Sequence, residues 1–352
     1  MFRLPHSHTS QRKMMIMKSY VILLNWNGWK DTIECLESVF RLNADFRVVV
    51  CDNASTDGSI EKIKIWAEGK LPVNPANHEL ARLVLPPCPK PVSCIVLTRE
   101  QAEAGASPYE ERLILVDNGA NLGFAGGNNI GLRYALRDSE CEYIWLLNND
   151  TIVEPDALSA LLKKMQENAE VGLCGSLSRS YENPDEIQTN GGKGYNLWTA
   201  RVRNSPATTN GYKHSQQRLD FISGASTLVS RNFLERVGLM EESYFLFFEE
   251  LDWAMRAKGR FSLSCTSDSV IYHKEGASIG SHPDRRKRSM LSDQYLSRSR
   301  VLFTKRFFPW ALPTVIASIC VAAADRLLHG DPERFKAILS YMVQGLVTPV
   351  SK

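Results

Sequence analysis

Three short groups of polar residues in this 352-residue chain have types and spacing suited to chemistry. Asn148-Asn149-Asp150 ends the apolar run Tyr143-Ile144-Trp145-Leu146-Leu147. A carboxylate just beyond the carboxyl end of a buried strand can hold a divalent cation, and a cation suits a diphosphate. The same residues also make an ordinary polar turn before a helix opened by Pro155. Glu249-Glu250-x-Asp252-Trp253 follows the aromatic run Tyr244-Phe245-Leu246-Phe247-Phe248, which places its carboxylates in a partly buried setting suited to a general base. On a helix Glu249, Asp252, Trp253 and Arg256 share one face, and Glu250 points about 100° away. The bland alternative is a solvated helix with i,i+4 pairs at Glu249–Trp253 and Asp252–Arg256. His273, taken alone, reads as a strand histidine with a satisfied ring.

Elements able to position these groups are legible nearby. Residues 19–24 (SYVILL) form a buried strand ending on Asn25-Trp26-Asn27-Gly28. Asp31 and Glu34 have capping-box spacing for the next helix, whose apolar stripe is Ile33, Leu36, Val39 and Phe40. Residues 46–51 (FRVVVC) repeat the pattern and end on Asp52-Asn53, with a helix expected over 60–67. Two βα units with polar turns after the strands predict a parallel sheet with right-handed crossovers. A strand at 113–116 is followed by Asn121-Leu122-Gly123-Phe124-Ala125-Gly126-Gly127-Asn128-Asn129 and a helix. The glycines allow backbone to approach a ligand at the helix start. Further strands are read at 171–176, 221–229 with a bend at Ser223-Gly224-Ala225, 261–264 and 270–273. Helices are read at 156–164 and 233–237. The echo between Asp52-Asn53 and Asp117-Asn118 reads as coincidence.

Two stretches break the rhythm. Residues 68–112 carry seven prolines and read as an insertion looping out of the domain, with one short strand at 93–97. Residues 190–213 read as a mobile Gly- and Asn-rich loop over the site. The expected organisation is a disordered lead (1–17), an α/β domain (18–280) and a basic, then apolar, helical region (281–352). Between Arg285 and Arg306 there are eight Lys or Arg and one acidic residue, and 307–324 carry no charge. That pattern allows a helix in a membrane interface or a helix packed on the domain, with a true span less favoured.

Composition excludes little. The chain is 43% hydrophobic and 23% charged, ordinary for a globular protein, and its net charge of +3 comes with no nucleic-acid recognition module. Eight cysteines without a CxxC pair suggest buried thiols in a reducing cytoplasm. No signal peptide is read at the start.

Taken in order, the Asn25–Gly28 turn, Asp52-Asn53-Ala54-Ser55-Thr56-Asp57-Gly58-Ser59, the Asn121–Asn129 segment, Leu147-Asn148-Asn149-Asp150, the 223–225 bend and the Glu249–Trp253 helix resemble family 2 glycosyltransferases. The similarity is strongest to the rhamnosyltransferase-like branch of bacterial surface polysaccharide synthesis, and it covers about residues 20–278. It implies a GT-A fold: a Rossmann-like, mostly parallel central sheet with helices on both faces. It further implies a nucleotide-diphospho-sugar donor, dTDP- or UDP-linked, and a divalent metal, Mn or Mg. By that likeness Asp52 meets the base or ribose, Trp26 lies beside the base, and Asn149-Asp150 matches the acidic DxD element, with Asn148 in place of its first Asp. His273 matches a histidine that completes the metal shell in some relatives, and Lys274 would lie near the phosphates. Asn25, Asn27, Asn53, Asn121, Gly123, Gly127 and Asn128 complete the expected donor site; Ser223, Gly224, Ala225, Glu249 and Trp253 form the expected acceptor side.

Sugar transfer builds negative charge on the departing diphosphate while an acceptor hydroxyl loses a proton. A cation, a lysine and helix-start amides offset that charge. Glu250 is the expected base of an inverting displacement, with Asp252 next, although family members usually carry Asp where Glu250 stands. The expected acceptor is a glycan or a lipid-linked glycan, reached by a cytoplasmic enzyme peripheral on the inner membrane. A homodimer is allowed for, and no nucleic-acid partner is expected. The rival readings are a nucleotidyltransferase, which would use a nucleoside triphosphate and a sugar phosphate, and a non-catalytic sugar-binding scaffold.

Overall fold

The computed structural model describes residues 18–104, 109–204, 219–274 and 288–349. The expected lead at 1–17, the far part of the 190–213 loop, residues 275–280 and the first basic residues at 285–287 lie outside them.

The chain begins β1 (Lys18–Asn25), α1 (Trp29–Val39), β2 (Phe46–Asp52), α2 (Ser59–Ala67), β3 (Cys94–Thr98), α3 (Arg99–Ala104), β4 (Leu113–Asp117), α4 (Gly123–Leu136), β5 (Cys141–Asn148). It continues β6 (Thr151–Val153), α5 (Ala157–Glu167), β7 (Val171–Ser180), β8 (Ile187–Thr189), β9 (Gly192–Asn196), β10 (Arg201–Asn204), β11 (Phe221–Ile222), β12 (Ser226–Ser230), α6 (Arg231–Val237), α7 (Glu249–Ala257) and β13 (Ser262–His273). Three helices close it: α8 (Met290–Phe307), α9 (Leu312–Leu328) and α10 (Pro332–Val347).

The main sheet runs β3-β4-β2-β1-β5-β12-β7-β13-β6, with β8 on β7. Its first five strands are mutually parallel, as the βα rhythm requires. β12 runs antiparallel between β5 and β7. Alternation along β1 sends Val21 and Leu23 into one apolar layer and Tyr20 and Ile22 into the other, so both faces are covered. β1 lies between β2 and β5, so chain direction away from β1 reverses there. The carboxyl ends of these strands therefore border the crevice where open α/β sheets take ligands.

Four expectations change. The 68–112 stretch does not simply loop out: β3 pairs in parallel with β4 at the sheet edge and α3 packs behind it. Its prolines obscured a regular βα unit, because proline punctuation outweighs a five-residue strand in any local reading. The 190–213 loop contains β9 and β10, which join β11 in a small antiparallel sheet. The strands read at 261–264 and 270–273 are one strand, β13, whose register slips between Thr266 and Val270. Asp31 and Glu34 do not form a capping box, since α1 starts at Trp29 and both carboxylates turn to Lys274.

The C-terminal helices pack on the domain. Val301, Leu302 and Phe303 of α8 and Val315, Ile319 and Ala323 of α9 share a buried cluster with Phe248, Leu251 and Ala254 around α7. Three basic residues of α8 bond groups of the protein itself. Arg298 donates to the Ser243 and Tyr244 carbonyls, Lys305 to those of Gly345, Leu346 and Thr348, and Arg306 to Glu241 and Asp252. Pro309–Leu328 is long and apolar enough to cross a membrane by composition, yet a third of that window is buried in the protein.

Candidate active site

A cleft opens at the carboxyl ends of β1, β2 and β5. Leu24 and Trp26 come from the first strand end, Asn53 from the second, and Asn148, Asn149 and Asp150 from the third. Asn121, Gly123 and Phe124 at the start of α4, Phe245 and Leu246, His273, and Leu291 of α8 complete the wall.

The floor is a network of amides and hydroxyls. Asn25 Nδ2 donates to Asp52 Oδ2 at 2.6 Å and to Ser55 Oγ at 3.1 Å. Its Oδ1 accepts from Thr32 Oγ1 at 2.8 Å and from Asn149 Nδ2 at 3.3 Å. Asp52 also accepts from the Ser55 amide and hydroxyl. The Asp52-Asn53 and Asp117-Asn118 echo is no coincidence: the two aspartates are register partners on β2 and β4, and Asn118 Nδ2 donates to Asn53 Oδ1 at 2.8 Å. Asn53 Nδ2 then reaches the Gly123 carbonyl at 3.0 Å, tying the strand ends to the helix start.

Asp150 is the most distinctive group. It is buried, and its Oδ1 accepts no hydrogen bond. Antiparallel pairing of β13 with β6 puts His273 opposite Thr151, so His273 Nε2 lies 3.2 Å from that oxygen and 3.3 Å from Asn148 Nδ2. Burial raises the Asp150 pKa, but the His273 ring, a backbone amide and Lys274 outweigh it and hold the carboxyl below its usual range. A buried carboxylate oxygen faced only by the His273 ring is a feature a cation completes. Among the described residues no three His, Cys, Asp or Glu side chains converge, so a metal here would have two protein donors, Asp150 and His273. Remaining positions would have to come from ligand oxygens or water.

The opposite wall is held by strained backbone. Phe245, Phe247 and Phe248 all have left-handed φ, at 64°, 66° and 76°, a conformation bulky residues rarely adopt. The Phe245 carbonyl accepts the Phe124 amide at 2.7 Å, and a Cβ on Gly123 would fall 2.1 Å from that carbonyl oxygen. Glycine is required at 123 by this approach and by its φ of +71°. Phe245 stacks on Tyr295 of α8, with ring centroids 4.5 Å apart.

Glu250 lies against the 223–225 bend. A Cβ on Gly224 would sit 2.0 Å from Glu250 Oε1, and the Ala225 carbonyl accepts the Asn148 amide at 3.0 Å. The base candidate and the end of β5 thus meet through one bend. Burial raises the Glu250 carboxyl, with Lys193 and the Gly224 amide opposing it only in part. Glu249 is buried with Oε2 unbonded, and burial plus the Glu250 charge push its carboxyl well up.

Several expected roles do not survive the geometry. Asp252 is fully buried and accepts from Tyr244 Oη at 3.0 Å, Arg256 Nε at 2.7 Å and Arg306 Nη1 at 2.8 Å, so it braces α7 and has no reach to an acceptor hydroxyl. Trp253 is core, edge-on to Phe233 with its Nε1 on the Gly238 carbonyl, and so does not face an acceptor. Lys274 Nζ is engaged by Asp31 at 2.5 Å and Glu34 at 2.6 Å, so it does not line the cleft and acts on Asp150 only through space. Asn27 is exposed and holds Thr56 across the β1 and β2 turns, while Asn128 donates to Phe124 within α4. Gly127 is a packing contact, its Cα facing Leu24 Cδ1 and Asn53. Asp52 and Asn25 shape the floor without lining the cleft, and Ser223 and Ala225 act through their backbone. Sequence reading missed Phe245, Leu246 and Leu291: the left-handed backbone at Phe245 and the long-range packing of all three leave no local signal.

Comparison with known proteins agrees with this geometry. Glycosyl transferase family 2 matches residues 97–238. A low-salt glycan biosynthesis hexosyltransferase, Agl10, from Haloferax volcanii is 28% identical over 144 residues, 41% of this chain and 45% of that protein. The dTDP-rhamnosyl transferase RfbF of Shigella flexneri is 27% identical over 167 residues, 46% of this chain and 49% of that protein. The chain thus spans about half the length of these curated relatives. In fold it is similar to the mannosyltransferase PcManGT of Pyrobaculum calidifontis, solved with GDP-Man and Mn2+ (TM-score 0.50, 17% identity, 94% of this chain and 87% of that one). It is also similar to GalNAc-T7, solved with UDP, GalNAc and Mn2+ (TM-score 0.51, 15% identity, 82% of this chain and 51% of that one). With the mostly parallel sheet, the switch-point cleft and the matched segment together, the chain has a GT-A fold, and its residues 97–238 match glycosyl transferase family 2.

Proposed function

We propose that the chain is an inverting glycosyltransferase that moves a hexose or deoxyhexose, such as rhamnose, from a nucleotide-diphospho-sugar to a glycan or lipid-linked acceptor. The observation that carries this reading is the buried Asp150 carboxylate, with one oxygen faced only by the His273 ring, in a cleft at the ends of β1, β2 and β5. The likeness to a dTDP-rhamnosyl transferase supports a dTDP-linked donor, and a UDP-linked one is the neighbouring choice.

Asp150 and His273 would hold a divalent cation, which when bound offsets the charge growing on the leaving diphosphate. Trp26, Asn53 and Asn121 line the cleft and bind and orient the nucleotide. Leu24, Phe245, Leu246 and Leu291 give it an apolar wall that limits water around the reacting carbon. Glu250 takes the proton of the acceptor hydroxyl as that oxygen attacks the anomeric carbon and the diphosphate leaves from the opposite face. A carboxyl pushed up by burial is a stronger base than an exposed one once ionised, which suits this task. Such an enzyme works where its acceptor is made, at the cytoplasmic face of a membrane.

The test is thermal unfolding with UDP, dTDP and their sugars, with and without manganese, alongside assay of released nucleoside diphosphate. Metal-dependent stabilisation by one nucleotide class, lost in Asp150→Asn, is the expected result. Turnover of a sugar phosphate with a nucleoside triphosphate instead would replace this reading by nucleotidyl transfer.

A further inference from the structure

The stretch between α2 and β3 packs on the two strands that set the Asp150–His273 pair. β6 has three residues and ends the main sheet, and its pairing with β13 is what puts His273 opposite Thr151. A three-residue ladder at a sheet end is marginal by itself and opens readily. Leu80, Leu83 and Val84, all from that stretch, share a buried cluster with Ile152 of β6, Tyr272 of β13 and Tyr181. Arg82 then forks onto Glu154, one residue past β6, with Nη2 at 2.5 Å and Nη1 at 3.1 Å from its oxygens. Glu154 also accepts from Tyr272 Oη at 2.9 Å, so this carboxylate ties β6 to β13 and both to Arg82.

A second tie runs through Tyr181, just past β7. The Asn77 amide donates to Tyr181 Oη at 2.9 Å, and Asn77 Nδ2 donates to the Tyr181 carbonyl at 2.5 Å. Tyr181 in turn donates its hydroxyl to Glu34 at 2.7 Å and its amide to the His273 carbonyl at 3.1 Å. Glu34 accepts from Lys274 Nζ at 2.6 Å, and the Lys274 amide donates to the Asp150 carbonyl at 3.0 Å. Residues 77–84 do not line the cleft, so a change there reaches the pair only through β6, β13 and Tyr181. The Arg82 side chain is 60% exposed, so its fork adds little global stability and acts on where the strand ends sit. We propose that residues 77–84 form a brace that fixes the separation of Asp150 and His273, with Asn77 and Arg82 as positioning residues for the divalent cation. This role rests on the reading of Asp150 and His273 as metal donors under the proposed function. Partners one step out from a metal orient its ligands, and losing one weakens metal binding by about 10–100-fold.

The experiment measures manganese binding to the full chain by loss of the free-ion EPR signal. It is run with dTDP or UDP, whichever raises the Tm of the unaltered chain more, and affinity for that nucleotide is measured separately in EDTA. In the double variant Asn77→Ala/Arg82→Met, manganese affinity should fall about tenfold while nucleotide affinity in EDTA stays that of the unaltered chain. Arg82→Lys should lose less than Arg82→Met, because an ammonium keeps one contact of the fork. Quicker amide exchange in β6 and at the end of β13 is expected in the metal-free double variant. Unchanged manganese affinity in a variant that still binds nucleotide overturns the brace even where its Tm falls, since the role would then be structural alone. An unaltered chain that binds nucleotide but no manganese overturns the metal reading and the positioning role with it. If the double variant no longer binds nucleotide, Arg82→Met alone, at an exposed side chain, serves in its place.

Discussion

The two walls of the cleft are built differently. On the sheet side, polar residues at the ends of β1, β2, β4 and β5 bond one another, and each arrives with its own strand. On the facing side, the Phe245–Phe248 backbone, and Glu250 behind the 223–225 bend, are held by residues far along the chain: Arg306 grips Asp252 and Glu241, and Tyr295 stacks on Phe245. The first wall is therefore a property of the sheet, and the facing wall a property of the C-terminal helices. Changes on the first side should cost activity with little stability; changes on the second should cost both.

The sharpest test of that contrast is Asp150→Asn. Transfer activity should fall about a thousandfold, the scale on which a leading electrostatic stabiliser is lost, while Tm changes little, because the isosteric amide keeps the packing and gives up only the attraction of the His273 ring and Lys274. A matching fall in Tm would make Asp150 a structural residue. Arg306→Met should behave in the opposite way. It leaves the Asp252 carboxylate buried with fewer donors and should cost about 3–5 kcal/mol in urea unfolding, with Arg306→Lys recovering part of it. A loss under about 1 kcal/mol would show that α7 does not depend on α8.

Smaller effects refine the facing wall. Gly224→Ala places a methyl where Glu250 Oε1 now sits, and a flexible carboxylate can swing aside. Activity should fall about tenfold with unfolding changed by less than about 1 kcal/mol; unaltered kcat would argue against Glu250 as base. Glu249→Gln carries a sign in pH. Burial and the Glu250 charge raise the folded carboxyl well above its unfolded value, so the contribution of Glu249 is most favourable below the unfolded pKa and is lost as pH rises toward the folded one. The Gln variant should therefore be the more stable protein at neutral pH, with its advantage shrinking toward pH 4. An advantage independent of pH would place the unbonded oxygen in water.

Much of the sheet-side wall was legible in the sequence because βα units are local. Apolar runs such as SYVILL and YIWLL end on the very residues the cleft uses, and strand ends in a parallel sheet converge by topology alone. Asn53, Asn121, Asn149 and Asp150 needed no long-range information. Trp253 and Asp252 misled for a related reason: helical periodicity says which residues share a face, but not whether that face meets solvent, core or an arginine from fifty residues away. The β3–α3 unit was masked by prolines, whose local meaning is a turn whatever pairing follows.

By itself the sequence determined the alternation of strands and helices, the two-sided apolar sheet and the carboxylate at the end of β5, since each follows from periodicity and turn chemistry within about ten residues. Only the tertiary structure decided which carboxylates were left without partners. His273 reaches Asp150 through the β13–β6 pairing, Lys274 is claimed by α1, and Asp252 is claimed by α8. Whether a charged group is available for chemistry depends on the sum of its neighbours' fields and hydrogen bonds, and those neighbours are chosen by packing across the whole chain.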